Sequence, residues 1–424
     1  MFFNFKSYQV MLTQNISSFF KRYDYRLWVI TFGWFISAMG FAMVIPFISI
    51  LFHVEMGVSM VAVGTVFCIS SLSRALFGVL GGEASDRWGR VKIMGLSMLG
   101  RAASFLLIAL LLSKGAGFIP VSGLVILSSI LGAFYQPVAH AMVADVVVRE
   151  KRVEAYSIVR IGGNLGWALG PAIGGFISVV SYSVLFLIGS LTALIAGALI
   201  LLFIKETLPE LENRSKFSFK DLIEIRRDRL FFLYCVVSLF LFTVIGQLVA
   251  TFSVFSVGSV GISKTLLGYL YTLNGAIVVL FQFPMSKFVE RYRLTRVLVY
   301  GSALYLIGYF SVGLATSFAW LFACMTIVSV AEIAVMPASM TIVANMASER
   351  HRGRYMGTFS LVHSLGWAVG PLLGGFLLDF FVSQPIIVWS GISSLALASA
   401  LGYQWLGTKL PLTVDQGGMQ SKTE

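Results

Sequence analysis

Glu332 is the side chain with the clearest capacity for chemistry in this sequence. It lies in an otherwise uncharged stretch, 317–341, nine residues from the end of that stretch, which is about 13 Å along a helix. A carboxylate at that depth in an apolar layer is unfavourable unless it faces a cavity or another polar group. It can exchange a proton, or bind a cationic molecule in place of the proton. The alternative is a structural glutamate bonded to an arginine or to the backbone before Pro337.

Three arginines also fall inside long apolar stretches, namely Arg74, Arg101 and Arg160. Each lies roughly two helical turns from the end of its stretch. If Arg101 and Arg160 face a cavity, that cavity is positive and suits anionic or zwitterionic molecules. The alternative is that each guanidinium extends to the interface, or pairs with a carboxylate such as Asp145.

Uncharged polar residues in the apolar stretches are further candidates for a cavity wall. They are Tyr135, Gln136, Gln247, Asn274 and His363. A lone histidine on an apolar helix is more often a packing residue than a proton carrier. The 36 phenylalanines and 16 methionines are suited to an adaptable apolar pocket, although most are expected to face lipid or neighbouring helices.

The spacing of reactive residues argues against an enzyme. The four histidines are scattered and the three cysteines lie in apolar runs, so neither set forms a metal or nucleophile pattern. The P-loop pattern GxxxxGK[ST] is absent from the sequence. We therefore expect no cofactor, no bound metal and no catalytic residue. Any energy must come from a gradient or from the substrate itself.

The elements that must position these residues are membrane-spanning helices. The 424 residues are 58% hydrophobic and 12% charged, with a mean hydropathy of +0.88, whereas soluble domains carry about 25% charged residues. Apolar stretches of roughly 20 residues, the length that crosses a bilayer, recur twelve times. They are predicted at 27–52, 59–80, 92–112, 118–143, 154–178, 183–204, 230–256, 264–286, 295–315, 317–341, 354–379 and 384–407.

Lysine and arginine are unevenly distributed between the predicted connections. The termini and the connections on one side hold 26 of the 31 basic residues, and those on the other side hold two, Lys114 and Lys264. By the positive-inside rule this predicts cytoplasmic termini and an integral, multi-pass protein of the plasma (inner) membrane. The net charge of +12 follows from this topology, so no nucleic acid partner is expected.

The sequence divides into two similar halves. GWALGPAIGGF at 166–176 returns as GWAVGPLLGGF at 366–376, with eight of eleven positions identical. Such a repeat predicts two copies of one membrane-embedded unit. The expected divisions are a cytoplasmic segment 1–26, six-helix bundles at 27–204 and 230–407, a cytoplasmic linker at 205–229 and a tail at 408–424.

Glycines spaced by four within the repeat form one smooth surface on each predicted helix. Small residues let membrane helices approach closely, and proline adds a kink. Both copies are therefore interpreted as packing surfaces for a rocking motion. The residues of these surfaces are Gly166, Gly170, Pro171, Gly174, Gly175, Gly366, Gly370, Pro371, Gly374 and Gly375.

The sequence GEASDRWGR at 82–90 resembles the cytoplasmic loop signature of the major facilitator superfamily, G-x-L-A-D-R-x-G-R-[R/K]. Ala84, Ser85 and Val91 depart from that signature. In the family this motif holds the two halves together on the cytoplasmic side, and the resemblance implies the same role here. The alternative is a plain basic turn. The matching positions are Gly82, Asp86, Arg87, Gly89 and Arg90.

The first copy of the repeat is similar to the fifth-helix signature of the drug/proton antiporter branch of that superfamily. This similarity implies multidrug efflux in exchange for protons. The second copy carries the same glycines in a helix where the signature does not mark antiport, so the glycines of both copies are interpreted as packing residues. The arginine that the antiporters carry in the fourth helix falls near Ser128 here, and 118–143 contains no arginine.

These features together predict an all-α membrane protein with the major facilitator fold, twelve helices in two pseudo-symmetric bundles. We expect a secondary active transporter that works by alternating access and exports small amphipathic, drug-like compounds, with Glu332 as the proton-coupling residue. A carrier of an anionic metabolite or lipid-like substrate is the alternative, and a membrane-embedded enzyme or a receptor is a more distant one. Expected partners are a small-molecule substrate, protons and the lipid bilayer, and the protein is expected to be a monomer.

Overall fold

The computed structural model describes residues 22–148, 151–207, 228–347 and 352–417. In these ranges the chain is helical, without a β-strand, and has twelve helices long and apolar enough to cross a membrane. The prediction of an all-α protein with twelve spans is therefore confirmed. The helices are α1 (Tyr25–Ile50), α2 (Met60–Trp88), α3 (Arg90–Ser113), α4 (Phe118–Ala133), α5 (Tyr135–Val146), α6 (Arg152–Val180), α7 (Tyr182–Phe203), α8 (Arg229–Ile245), α9 (Thr251–Val254), α10 (Lys264–Val289), α11 (Leu294–Val312), α12 (Phe318–Met346), α13 (Arg352–Phe381), α14 (Pro385–Leu406) and α15 (Leu412–Asp415).

Two of the spans are interrupted. The fourth consists of α4 and α5, which meet at Phe134. Proline has no N–H group, and its ring clashes with the carbonyl four residues earlier. Pro137 therefore explains why α4 ends at Ala133. The seventh span consists of α8, a 3-10 turn, α9 and a π-helical turn at Phe255–Ser259.

Capping residues start helices at equivalent places in the two halves. Asp24 and Asp228 accept backbone hydrogen bonds of 2.8 and 3.0 Å at the starts of α1 and α8. Ser59 and Ser263 do the same for α2 and α10, because a side-chain oxygen there pairs an otherwise unsatisfied N–H. The pKa of the Asp24 carboxyl is lowered because Arg26 donates to it. Both pairs of caps are 204 residues apart, so the repeat includes the helix ends.

The helices pack in two groups of six spans. In the first group α1 packs against α6 and α7, and α3 packs against α7. In the second group α8 packs against α13 and α14, and α11 packs against α12 and α14. The two groups meet where α2 packs along α13 and α6 packs along α10. These four helices form most of the boundary between the groups, and α9 also contacts α1 across it.

The two ends of the molecule differ in how the groups touch. We call the end with Arg90 and the described chain termini the basic face, and the end with Glu55 and Lys264 the far face. At the far face Lys264 Nζ lies 2.5 Å from Glu55 Oε1, which joins α10 to the end of the first span. Near the basic face, a methyl group added at Gly82 or Gly357 would meet no described atom within 4 Å. The two groups are therefore joined at the far face, and among the described residues they do not meet at Gly82 or Gly357.

The basic-face motif differs from the prediction in its local structure. α2 continues to Trp88, so Gly82, Asp86 and Arg87 lie in its last turns rather than in a loop. The chain reverses at Gly89, whose φ of +100° is a conformation that glycine adopts most readily. Most of the predicted linker 205–229 lies outside the described residues. The part of the predicted tail that is described forms α15 against the second group.

Candidate substrate-binding cavity

A central cavity lies between the two groups of helices and has two lobes. The larger has a volume of about 330 Å³ and the smaller a volume of about 240 Å³. Ile45, Trp167, Val249 and Trp367 line both lobes, so the two are contiguous. Trp167 and Trp367 occupy the same position in the two copies of the repeat. Each half thus contributes an equivalent indole to the wall.

The smaller lobe contains Glu332. Its Oε2 atom accepts a 2.9 Å hydrogen bond from Nδ2 of Asn274 on α10. The same nitrogen lies 3.0 Å from Oγ of Ser329, one turn earlier on α12. Asn274 therefore orients the carboxylate without neutralising it, and among the described residues Glu332 has no basic partner within salt-bridge distance. The arginine pairing considered for a structural glutamate is not what the described residues show.

Tyrosine hydroxyls line the same lobe. Tyr271 donates to the Leu248 carbonyl at 2.5 Å. The hydroxyls of Tyr305 and Tyr309 are buried and have no hydrogen-bond partner within the described ranges. Buried polar groups are normally paired. These two hydroxyls are therefore available to a water or ligand that enters beside Glu332.

The larger lobe receives positive charge from the first group. The guanidinium carbon of Arg74, on α2, lies 4.8 Å from the centre of the Phe41 ring. That of Arg101, on α3, lies 4.5 Å from the same centre and 5.3 Å from the centre of the Phe105 ring. None of the described residues that line this lobe is acidic. Two cations thus share one aromatic ring.

Arg101 lies in the wall of a recess of about 20 Å³, together with Arg74, Trp34 and Gly132. Arg101 is 5% exposed, and its Nε and Nη2 atoms have no hydrogen-bond partner among the described residues. A space of this size holds about one polar atom. The recess can therefore accept one oxygen from a larger molecule that occupies the lobe.

Gln136 and His363, two of the candidates for a cavity wall, line the larger lobe. The His363 ring packs edge-on against Phe242, with centroids 4.6 Å apart. Arg160 is exposed on α6 and is not among the described residues that line the lobes. The prediction of a cavity arginine therefore fits the geometry of Arg101 and not that of Arg160.

Tyr135 and Gln247 lie outside the cavity wall and differ from the prediction. Tyr135 is fully buried, and its hydroxyl donates to the Ile30 carbonyl at 3.3 Å. Gln247 is also fully buried, and its Nε2 atom donates to the Gly370 carbonyl at 2.9 Å. Each bonds to a neighbouring helix of its own group, and Gln247 Oε1 also accepts a hydrogen bond from Thr251 within its own span. These two polar residues in apolar stretches therefore form hydrogen bonds between helices and do not line the cavity.

The glycine series of each repeat copy packs inside its own group. A methyl group added at Gly166 would lie 2.6 Å from the Phe35 carbonyl oxygen on α1. One added at Gly370 would lie 2.7 Å from the Thr243 carbonyl oxygen on α8. The same helix–helix contact continues at Gly170, Gly174, Gly366 and Gly374.

Gly175 and Gly375 contact the opposite group instead. A methyl group on Gly175 would lie 2.8 Å from the Lys264 carbonyl oxygen on α10, and one on Gly375 would overlap the Met60 carbonyl on α2. The carbonyls of Pro171 and Pro371 likewise lie against glycines of α10 and α2. α6 and α13 therefore use one surface within their group and another across the boundary.

Arg90 organises the basic-face motif. Its guanidinium lies 2.6 Å from the Asp145 carboxylate and 3.4 Å from that of Asp86, and its side chain is 7% exposed. Its backbone N–H donates to the Glu206 carboxylate at 2.9 Å. These bonds join α2, α3, α5 and the end of α7 within the first group. The contact of Asp86 with the second group stays a prediction.

The second group has an equivalent arrangement. Asp415, fully buried in α15, accepts a 2.7 Å hydrogen bond from the backbone N–H of Thr295 at the start of α11. It also accepts one of 2.7 Å from Arg293 Nε. In each group, then, a carboxylate that follows the last span caps the third span.

Several residues of the cavity were not predicted from the sequence. They are Phe41, Asn164, Tyr271, Tyr305 and Tyr309. Trp167 and Trp367 carried a signal, since both are identical between the repeat copies. A single aromatic or amide residue on an apolar helix carries none, because its direction depends on how the neighbouring helices pack.

Comparison with known proteins supports the same architecture. The chain matches the family model described as Major Facilitator Superfamily over residues 30–259 and 248–421. It is 26% identical over 371 residues to the multidrug resistance protein MdtH of Yersinia enterocolitica, covering 87% of this chain and 90% of the relative. The protein of that name from Escherichia coli O157:H7 is 25% identical over 374 residues, with 87% and 91% covered.

A solved structure with a similar fold is the bacterial homologue of the human lysosomal transporter Spinster, in an inward-facing and unoccupied conformation. It has a TM-score of 0.70 and 18% sequence identity, and the match covers 92% of this chain and 93% of the other. The likeness concerns the fold. The overall fold is thus shared with a protein of little sequence similarity.

Proposed function

Because this chain belongs to the major facilitator superfamily, we propose that it is a transporter that exports small amphipathic compounds in exchange for protons. Family membership implies a membrane transporter with a small-molecule substrate. The proposal adds the direction, the coupling to protons and the drug-like substrate class. Two observations support it: the named relatives are multidrug resistance proteins, and Glu332 lies in the wall of the central cavity.

Glu332 carries the argument for coupling. Its carboxylate is oriented by Asn274 and has no basic partner among the described residues, so it can hold either a proton or a cationic group of a substrate. With the cavity open at the basic face, substrate displaces the proton. After the groups rock and the far face opens, a higher proton concentration there protonates Glu332 and releases substrate. The protonated form then returns, which gives one-for-one exchange.

The test is transport by purified protein in liposomes with an acidic interior, using ethidium as the cationic probe. We expect ethidium to accumulate when the pH gradient is present. Glu332→Gln keeps the shape of the side chain but cannot titrate. This variant should lose gradient-driven accumulation yet still exchange external for internal ethidium without a gradient. Full gradient-driven accumulation by Glu332→Gln would show that the coupling residue is another one.

A second candidate function is the transport of an anionic compound. It is favoured by Arg74 and Arg101, which place two guanidinium groups beside the larger lobe without an acidic residue in the described part of its wall. The same liposomes, supplied from outside with a fluorescent organic anion such as carboxyfluorescein, distinguish the two candidates. Accumulation of the anion, and not of ethidium, would replace drug export by anion transport.

The proposal places the protein in the plasma (inner) membrane as a monomer, with the basic face and both termini in the cytoplasm. The excess of lysine and arginine at the basic face supports this orientation. In this orientation the contact of Lys264 with Glu55 joins the two groups at the outer face, and we infer that the cavity is reached from the cytoplasm. That is the state in which an exporter takes up its substrate.

A further inference from the structure

We propose that the central cavity binds amphipathic zwitterions, with the anionic group against Arg74 and Arg101 and the amine against Glu332. This inference takes from the proposed function only the assumption that the cavity is the substrate site. The first candidate function relies on the negative charge of Glu332, and the second relies on the positive charges of Arg74 and Arg101. The present inference requires both charges to bind one substrate molecule. The evidence is that the basic and the acidic side chains lie at different lobes of one continuous cavity.

The positive pole lacks a counterion in the described part of the protein. Arg101 is buried, with two nitrogen atoms that have no hydrogen-bond partner among the described residues, and the guanidinium carbons of Arg101 and Arg74 lie 4.5 and 4.8 Å from the centre of the Phe41 ring. Cation–π contacts offset only part of the hydration free energy that a guanidinium group loses when it is buried. Two such groups also repel each other. An anionic group that lies between them would relieve both penalties.

The recess beside Arg101 suits one oxygen of a carboxylate or phosphate. Gly132 makes room for it, because a methyl group at this position would lie 2.7 Å from Arg101 Nη1. The atoms of Arg101 that lack a partner are guanidinium N–H donors, and such donors bind carboxylate and phosphate oxygens well. The recess holds about 20 Å³, so the rest of the molecule must remain in the larger lobe. A large ligand with a terminal anionic group fits that geometry.

The negative pole lies in the other group of helices. Glu332 on α12 and Asn274 on α10 face the smaller lobe, whereas Arg74 and Arg101 belong to α2 and α3. Trp167 and Trp367 line both lobes and offer flat apolar surfaces to the body of the ligand. A zwitterion therefore contacts both groups of helices at once, whereas a singly charged ligand satisfies only one pole.

Bridging has a consequence for the transport cycle. A ligand shifts a conformational equilibrium only as far as it binds one state better than the other. A molecule that is held by both groups favours the states in which the two poles are close together. We therefore expect zwitterions to promote closure of the basic face, and singly charged compounds to do so weakly.

The test compares four compounds that share an unbranched eight-carbon chain and differ in their terminal groups: 8-aminooctanoate, octylamine, octanoate and octanamide. In 8-aminooctanoate the two charges lie at opposite ends of the apolar chain, as the two poles require. The affinities of the four compounds for the purified full-length protein are measured by calorimetry in detergent, so no transport is needed. We expect 8-aminooctanoate to bind at least about tenfold more tightly than any of the others, a difference of about 1.4 kcal/mol. Equal or tighter binding of octylamine or of octanoate would overturn the proposal, as would a failure of 8-aminooctanoate to bind.

Variants assign each charge to its pole. Arg101→Gln should weaken binding of 8-aminooctanoate and octanoate and leave octylamine unchanged. Glu332→Gln should weaken binding of 8-aminooctanoate and octylamine and leave octanoate unchanged. Arg291→Gln, an exposed arginine at the basic face, is the matched control and should change none of them. If both pole variants weaken all four compounds equally, the charges do not act as separate poles.

A second measurement covers the case in which Arg101→Gln does not fold. In a protein without its natural cysteines, Ser71→Cys in the wall of the larger lobe is treated with anionic and cationic methanethiosulfonates. The anionic reagent should react faster. Gly132→Ala, which displaces only the flexible end of Arg101, should reduce that preference. Faster reaction of the cationic reagent would refute the positive pole. Loss of proton-driven export with intact zwitterion selectivity would refute the proposed function and leave this inference standing.

Discussion

The carboxylate of Asp379 accepts a 2.8 Å hydrogen bond from the backbone N–H of Met60. A second bond of 2.8 Å comes from the N–H of Val61. Asp379 ends α13 in the second group, whereas Met60 starts α2 in the first. The first N–H groups of a helix have no partner within that helix, and a negative charge there is favourable. One group of helices therefore caps a helix of the other, and this contact exists only while the far face is closed.

We predict that Asp379→Ala shifts the protein toward the state that is open at the far face. Loss of an N-terminal cap costs about 0.5–2 kcal/mol, which changes the ratio of two states by up to about 30-fold. Asp379→Asn keeps one acceptor oxygen and should have a smaller effect. The measurement is the reaction of Val66→Cys, which lines the cavity, with an impermeant thiol reagent added from the far face. Unchanged reactivity in the alanine variant would show that the cap does not hold this face closed.

Asp86→Asn should impair transport while leaving folding and membrane insertion largely intact. We expect the carboxylate to contact the start of α13, near Arg354 to Gly357, when the basic face closes. A change of a few kcal/mol is enough to invert a two-state balance. Transport rate and thermal stability are measured together. Glu83→Gln is the control, because Glu83 pairs with Arg87 on the surface. A wild-type rate in Asp86→Asn would contradict the role in closure.

Gly166→Leu and Gly366→Leu should each lower the yield of folded protein and abolish transport. A side chain at either position must enter the backbone of α1 or α8, and helices in a bilayer depend on such close approach. Gly123→Leu is the matched control, since an added side chain there meets no described atom within 4 Å. If only Gly166→Leu affected proton coupling, the first copy would have a role beyond packing. Tolerance of both changes would reject the packing interpretation.

The orientation is tested by thiol labelling of intact cells. Lys114→Cys, exposed at the far face, should react with an impermeant reagent, and Lys409→Cys, exposed at the basic face, should not. Both are made in a background without the natural cysteines. Permeabilised cells supply the control, in which both positions should react. Labelling of Lys409→Cys alone in intact cells would reverse the assigned orientation.

The sequence predicted the spans well because their signal is additive. Twelve apolar stretches, a repeated glycine pattern and an uneven charge distribution each sum over many residues, so individual exceptions do not matter. The end of α2 was placed too early because 81–88 contains charged residues, yet a helix can continue past the apolar layer into the interface. The motif at Gly82 to Arg90 thus extends a helix and bends only at Gly89.

Individual side chains of the cavity were harder to predict. Glu332 and Asn274 were both proposed from the sequence, but their mutual bond depends on the packing of α10 against α12. Tyr135 and Gln247 were proposed on the same grounds and instead bond to carbonyls inside their own groups. Whether a side chain on an apolar helix faces the cavity depends on which helices pack around it. The sequence alone does not give that arrangement.

The carboxylates that close each group bear on the evolutionary origin of the chain. Glu206 follows the last span of the first group and caps α3, and Asp415 follows the last span of the second and caps α11. In each group the residue that caps the third span therefore comes from the same group. A single six-helix ancestor would have needed the same cap before any duplication. Two copies of such a gene could then fuse without either unit losing the carboxylate that caps its third span. For the same reason, we expect two separately encoded halves to remain able to assemble.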